Sequence, residues 1–219
     1  PREPITKTDF KVSLSSVKDN TDKANYCSEK EIHDVIIVEY ASDSKKSKIC
    51  DVTVEYPFKA QLEKFTGKVV QDKELSIPFT ITSLEAGEYE IEVTLKDECS
   101  NKVVHTIPFK VTQTPDLIET ELAITKGGTI LPEPTDDKLL NIYASGNFTM
   151  QFSASGDIPK DAFAIKTNEK NQTNFVDDEL EIVDLRGNGK NFPNAYQIIG
   201  RSQENKQCES EPITLNITY

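Results

Sequence analysis

The stretch Gly87-Glu88-Tyr89-Glu90-Ile91-Glu92-Val93-Thr94-Leu95-Lys96-Asp97 alternates without a break: Tyr89, Ile91, Val93 and Leu95 fall in one phase, and Glu88, Glu90, Glu92 and Thr94 in the other. Successive side chains of an extended chain point to opposite sides, so the pattern specifies a strand with one apolar face and one wet, acidic face. On a helix the same residues would be scattered around the axis. A polar break through Cys99 to Asn101 follows, and Ile107, Phe109 and Val111 then resume the alternation. Two such runs joined by a short polar loop read as an antiparallel hairpin.

Working back from this hairpin, the first half holds further period-two segments. Phe10, Val12 and Leu14 open the series, followed by Val35 to Tyr40, Val52 to Tyr56, Phe65 to Val70 and Leu75 to Ile81. With Tyr89 to Leu95 and Val103 to Val111 they make strands A to G of a Greek-key sandwich of immunoglobulin type, in which each strand gives one face to the core. The expected core positions are Val35, Ile37, Val52, Val54, Ile91, Val93 and Leu95. Ile37 and Val38 are adjacent, so only one of them can point inward.

The polar, proline-containing segment Thr112 to Asp116 reads as a linker, and a second ladder follows it. Its segments are Leu117 to Ile124, Leu139 to Tyr143, Phe148 to Phe152, Phe163 to Ile165, Leu180 to Val183, Tyr196 to Ile199 and Ile213 to Ile217. Its end can be laid on the end of the first ladder: Tyr89, Ile91, Cys99, Ile107, Phe109 and Val111 match Tyr196, Ile198, Cys208, Ile213, Leu215 and Ile217. The expectation is an all-β chain of two tandem Ig-like Greek-key β-sandwich domains, 1–114 and 115–219. Helix should be minor, because long Ala, Leu, Lys and Glu runs at helical spacing are missing.

The run from Gly87 to Asp97 resembles the penultimate strand of Ig-like and PKD-like repeats in large surface proteins, which often run G-x-Y-x-V-x-V and close with a cysteine hairpin. The second half keeps Tyr196 and Cys208 but has Asn194 in place of the glycine. The chain is also similar to the lumenal Ig-like repeats of nuclear-pore membrane glycoproteins. These resemblances imply modules of a larger protein.

A net charge of -12 argues against nucleic acid as a partner, since phosphate binding needs clustered Lys and Arg. The basic group Lys45, Lys46 and Lys48 lies between two strand patterns and reads as a solvated loop tip. No stretch reaches the length of a membrane span, so no direct membrane insertion is expected, and Pro1-Arg2 does not begin a signal peptide. The chain reads as a piece of a longer parent. Partners are expected among proteins or neighbouring domains of that parent, at the cell surface or outside the cell, or else in the secretory lumen or perinuclear space.

No catalytic residue, cofactor or metal site is assigned. The two histidines, His33 and His105, read respectively as a loop residue before strand B and as a half-buried packing residue in the phase of Ile107. The acidic groups Asp136-Asp137, Asp177-Asp178-Glu179 and Asp184 lack the spacing of a calcium loop, and Asp116 with Glu119 reads as a solvated face. Tyr26, Tyr143 and Tyr219 are the tyrosines left to serve as exposed sugar platforms, which keeps a carbohydrate-binding accessory module of a secreted enzyme as the rival reading. Asn147, Asn171 and Asn216 open N-glycosylation triplets.

Four cysteines without a C-x-x-C pair favour disulfides over zinc. Strands C and F are antiparallel neighbours in the Ig topology, so Cys50 at the start of C and Cys99 at the end of F should meet. Cys27 and Cys208 are then expected to pair between domains. The alternative leaves these two as thiols or bonded outside this chain.

Overall fold

The computed structural model describes residues 3–17, 23–40, 49–57, 64–65, 74–82, 84–126, 130–133, 139–144, 147–154, 163–167, 179–182 and 195–218. The chain divides into two compact units, Pro1–Val111 and Thr112–Tyr219. Among the described residues the only helical element is one 3-10 turn, Lys7–Asp9, and everything else that is regular is strand.

In the first unit the strands are β1 (Phe10–Leu14), β2 (Ala24–Cys27), β3 (Ile32–Tyr40), β4 (Ile49–Glu55), β5 (Lys64–Phe65), β6 (Glu74–Ile81), β7 (Gly87–Asp97) and β8 (Lys102–Thr112). They form one sheet in the order β1-β3-β6 and a second in the order β2-β8-β7-β4-β5. With β1, β3 and β6 as A, B and E, and β4, β7 and β8 as C, F and G, this is the immunoglobulin-type division of strands. The two sheets share a single core that takes Phe10, Ile36, Ile77 and Phe79 from one and Val52, Ile91, Leu95 and Phe109 from the other.

Two elements of this unit depart from the sequence reading. Ala24–Cys27 forms β2, an unforeseen strand at the edge beside β8. Four residues, two of them polar, give too little alternation to stand out. The segment expected as strand D is described only at Lys64–Phe65, where it pairs with β4 (Val52↔Phe65) and so belongs to the opposite sheet from the one D would join.

The core positions are as read in β4 and β7 but shifted by one in β3. Val52, Val54, Ile91, Val93 and Leu95 are fully enclosed, whereas Val35 and Ile37 are half-exposed and Ile32, Ile36 and Val38 are buried. The run Val35-Ile36-Ile37-Val38 is apolar in both phases, so the choice rests on its polar neighbour. Counting Asp34 as solvent-facing forces Val35 inward. Asp34 in fact points inward, because hydrogen-bond donors wait for it there.

The second unit contains β9 (Leu117–Lys126), β10 (Ile130–Glu133), β11 (Leu139–Ala144), β12 (Asn147–Ala154), β13 (Phe163–Thr167), β14 (Glu179–Ile182), β15 (Ala195–Ser202) and β16 (Ile213–Thr218). Its sheets run β14-β12-β9 and β10-β11-β16-β15-β13. Read as E-B-A and as a sheet containing G-F-C, they repeat the plan of the first unit. Strand β11, joined in parallel to β16, stands beside it as β2 stands beside β8, but here β10 pairs with β11 and takes the edge. The paired registers agree as well: Tyr89↔Phe109 and Ile91↔Ile107 in one unit correspond to Tyr196↔Leu215 and Ile198↔Ile213 in the other. These are the residues matched in the sequence. Ile198, Ile213 and Leu215 are all fully enclosed, as expected of the inward phase of such a hairpin.

Candidate functional site

The Asp34 carboxylate on β3 gathers a dense set of hydrogen bonds among the described residues of the first unit. Its Oδ1 accepts from the Ser15 hydroxyl at 2.7 Å, from Val35 N–H at 2.7 Å and from Ser16 N–H at 3.2 Å. Its Oδ2 accepts from the Ser16 and Tyr26 hydroxyls, both at 2.5 Å. A buried carboxylate is costly unless its lone pairs are met, and here each oxygen has at least two donors. Burial pushes the Asp34 pKa up, but the bonds from Ser16, Tyr26 and Ser15 and from the Val35 amide outweigh it, so the pKa lies below the ordinary value. Burial also drives the Tyr26 hydroxyl well above its usual range, helped by the bond to Asp34 and by its charge. Tyr26 is therefore a structural donor, half-buried and edge-on to Phe109, with ring centroids 5.5 Å apart.

Asp97 performs the same service at the β7–β8 turn. It continues the inward phase of Tyr89, Ile91, Val93 and Leu95 and is fully enclosed. Its Oδ1 accepts from Cys99 N–H and Asn101 N–H, both at 2.8 Å, and its Oδ2 from the Asn101 side-chain amide at 2.8 Å and from Ile5 N–H at 3.5 Å. Ser100 N–H closes the turn on the Asp97 carbonyl at 3.0 Å. Burial raises the Asp97 pKa and the donors more than offset it, so this carboxyl too lies low.

Both carboxyls have folded-state values below the unfolded one. Their contribution is therefore complete above the unfolded value of about 3.9 and is lost as pH falls through the lower folded values. Stability of the first unit should stay flat from about pH 7 to about pH 5 on their account and fall steeply below about pH 4. Denaturant midpoints across that range check the direction.

Ser100 follows this turn with φ 67, in the left-handed region that a side chain disfavours. Ser100→Gly relieves the strain at some cost in unfolded-state entropy and should raise stability by about 0.5 kcal/mol, measurable as a higher urea midpoint at unchanged slope.

The cysteines separate into two classes. Cys27 and Cys208 are disulfide-bonded, and Cys208 is fully enclosed. Cys50 and Cys99 are exposed thiols, which corrects the expected Cys50–Cys99 bond. The start of β4 and the end of β7 do meet, since Ile49 pairs with Asp97. The ladder slips between Ile49 and Asp51, however, leaving Cys50 at the irregularity, where its Sγ donates to the Asp97 carbonyl at 3.1 Å. A bulge re-aims a side chain in a way that strand spacing does not reveal.

The two hairpin cysteines are accordingly not equivalent. Cys99 lies in a tight turn, whereas Cys208 lies in a longer loop where Ser202 N–H bonds its carbonyl at 3.0 Å and its own N–H bonds Asn205 at 2.9 Å.

His33 lies inside β3 rather than in a loop. Its Nδ1 is 3.0 Å from Thr80 Oγ1 on the paired strand, and its Nε2 is 3.1 Å from Glu31 Oε2. The order hydroxyl, imidazole, carboxylate resembles a nucleophilic triad, but the His33 and Glu31 side chains are 64% and 56% exposed. Water at that exposure screens the charges and leaves the groups unfixed, so the trio acts as a surface cross-strand contact. His105 is half-buried, as read.

Among the described residues no three His, Cys, Asp or Glu side chains converge as a metal site, and no helix is long and apolar enough to cross a membrane. Lys45, Lys46, Lys48, Asp136, Asp137, Asp177, Asp178, Asp184, Asn171 and Tyr219 lie outside the described residues. Asn147 opens β12. Asn216 sits inside β16, half-buried, with its side-chain nitrogen donating to Asn141 Oδ1 at 2.9 Å. That nitrogen is the atom glycosylation would have to modify.

No family model matches the chain, and no curated protein matches it. Solved structures similar to it include the fibronectin(III)-like modules of Clostridium thermocellum CbhA, at 13% identity over 94% of this chain and 93% of that one, TM-score 0.42. A multidomain fragment of titin is similar at 12% identity, covering 94% and 64% of the two chains, TM-score 0.40. Murine CEACAM1b is similar at 13% identity, covering 95% and 100%, TM-score 0.33. At these values the likeness carries no functional argument. The chain is an all-β protein with immunoglobulin-like strand order, and that assignment stands on the sheets and registers above.

Proposed function

We propose that the chain is a noncatalytic pair of tandem Ig-like modules that spaces or scaffolds neighbouring parts of a larger protein and recruits protein partners through its sheet edges and end loops. The observation that carries this reading is the repeated strand plan, with the same hairpin register in both units. A module built twice on one plan suits a part used for reach and presentation, as loops on a rigid scaffold are where recognition concentrates. The bonded state of Cys27 and Cys208 supports an oxidising setting, at the cell surface or outside the cell, with the secretory lumen or perinuclear space as the alternative.

We take Cys27 and Cys208 to be bonded to each other, which closes a long loop and constrains the unfolded chain. The polar groups of the first unit support a structural role, since the Asp34 and Asp97 carboxylates are consumed by internal donors. Tyr26, a candidate sugar platform, is likewise engaged by Asp34.

A glycan array probed with the purified chain, run beside a panel of ester, peptide, phosphate and glycoside substrates, tests the reading. The expected result is no saturable glycan binding and no turnover that a point mutation removes. Binding to one polysaccharide class that is lost on substituting one exposed side chain would move the chain to the accessory-module class.

A further inference from the structure

The outward phases of β4, β7 and β8 make the solvent face of the larger sheet in the first unit. On it Glu55 stands directly across from Glu92, and Lys96 directly across from Lys102. Glu55, Glu92 and Lys102 are exposed and Lys96 is half-buried. Like charges at directly opposed positions of an antiparallel pair destabilise the sheet, and this face carries two such pairs, one acidic and one basic. Among the described residues none of the four side chains has an ion-pair partner, whereas Glu88 at the start of β7 is met by Lys23. Asp51, across from Lys96 on β4, does not relieve the basic pair, since its Oδ1 is buried without a hydrogen-bond partner. Four steps along β7 separate Glu92 from Lys96, which sets the two pairs about 13 Å apart. Between them runs the row Thr53, Thr94 and Val104, with Val104 41% exposed.

We propose that this face binds a second copy of the chain, in a two-fold dimer that sets the acidic pair of each copy on the basic pair of the other.

Charge complementarity selects that occupant. A two-fold contact joins one patch to itself, so the patch must be its own complement. An axis lying in the face and crossing the strands obliquely near Thr94 brings Glu55 to Lys96 of the second copy and Glu92 to its Lys102, and symmetry repeats both contacts. Val104 lies close to that axis and meets its equivalent. The strands of the two copies then cross at an angle, as they do in sheets packed face to face. A uniformly basic partner would leave Lys96 and Lys102 unmet, and a uniformly acidic one would leave Glu55 and Glu92. Each like-charge pair costs stability in the single chain and is relieved in the dimer.

The net charge of -12 opposes association at long range, but at about 0.15 M salt that repulsion is screened beyond about 8 Å while charges in contact still attract. Three strands at the usual spacing span only about 14 Å, too little for the roughly 800 Å² per partner of a standard interface, so the dimer is weak and reversible. This face is separate from the sheet edges and end loops of the reading above and stands or falls apart from it.

Sedimentation equilibrium of the whole chain from about 10 μM to about 1 mM at that salt reads the association. The expected result is a monomer–dimer equilibrium that dilution reverses. Glu92→Lys and Lys102→Glu should each weaken it by about ten-fold or more, because like charges then face each other twice across the contact. Mixing the two variants should restore it to within about three-fold of the wild type, since in the mixed dimer every charge at these two positions faces its opposite. Each substitution also removes a like-charge pair within the chain, so neither should lower the urea midpoint, which separates lost association from lost folding. Glu55→Lys with Lys96→Glu forms an independent second pair, expected to behave alike. A chain that stays monomeric throughout would hand the face to a different partner and overturn the self-contact. Variants that dimerise as the wild type does, or a mixture no tighter than its two components, would overturn it as well.

Discussion

Phe109→Ala should lower the opening free energy of the first unit by about 3–5 kcal/mol, the usual cost of deleting a fully enclosed aromatic ring. Phe109 is wholly buried and lies between two other rings, stacked on Tyr89 and edge-on to Tyr26, both at 5.5 Å between centroids. The loss therefore combines a cavity with two aromatic contacts, each worth about 0.5–1.5 kcal/mol. Phe109→Leu keeps much of the volume and should cost about half as much. Hydrogen exchange of the β7 amides, which report opening of this unit, measures both. A cost for the alanine variant below about 1 kcal/mol would mean that β8 does not present Phe109 to the core.

Asp97→Ala should cost about 2–4 kcal/mol, an effect that no reading of Asp97 as a loop residue would anticipate. The substitution strands the N–H groups of Cys99 and Asn101 and the Asn101 side-chain amide, and it removes the acceptor that Ile5 uses. Asp97→Asn separates charge from geometry. It retains one acceptor oxygen and should recover part of the loss while weakening the stability decline below about pH 4, since one depressed carboxyl no longer titrates. A variant as stable as the wild type, by the same exchange measurement, would show that the turn closes without its carboxylate.

Period-two alternation made the all-β character and the β7–β8 hairpin legible, because Tyr89, Ile91, Val93 and Leu95 have polar neighbours on both sides. The match of Tyr196, Ile198, Ile213 and Leu215 to the first hairpin survives to the level of cross-strand partners. Alternation fails where both phases are apolar, as in Val35 to Val38, and there a buried Asp34 decided the register. Asp34 and Asp97 were missed as structural centres for one reason. A lone acidic residue beside an apolar run reads as surface until its donors are known, and those donors come from Ser15, Ser16 and Tyr26 for one and from Ile5, Cys99 and Asn101 for the other.

The cysteines teach the same limit. Topology brought the ends of β4 and β7 together, but the irregularity at Cys50 sends its thiol to the Asp97 carbonyl. A bulge is a property of two paired strands, and neither strand announces it alone.

The central claim is that the two units are built on one strand plan with one hairpin register. Interstrand proton–proton contacts in a nuclear Overhauser spectrum of the whole chain test it most directly, through the pairs Tyr89–Phe109 and Ile91–Ile107 and their counterparts Tyr196–Leu215 and Ile198–Ile213. The account predicts backbone contacts in register at both hairpins, with antiparallel contacts from β3 to β1 and from β12 to β9. A second hairpin displaced by one residue, or β12 paired elsewhere than with β9, would contradict it.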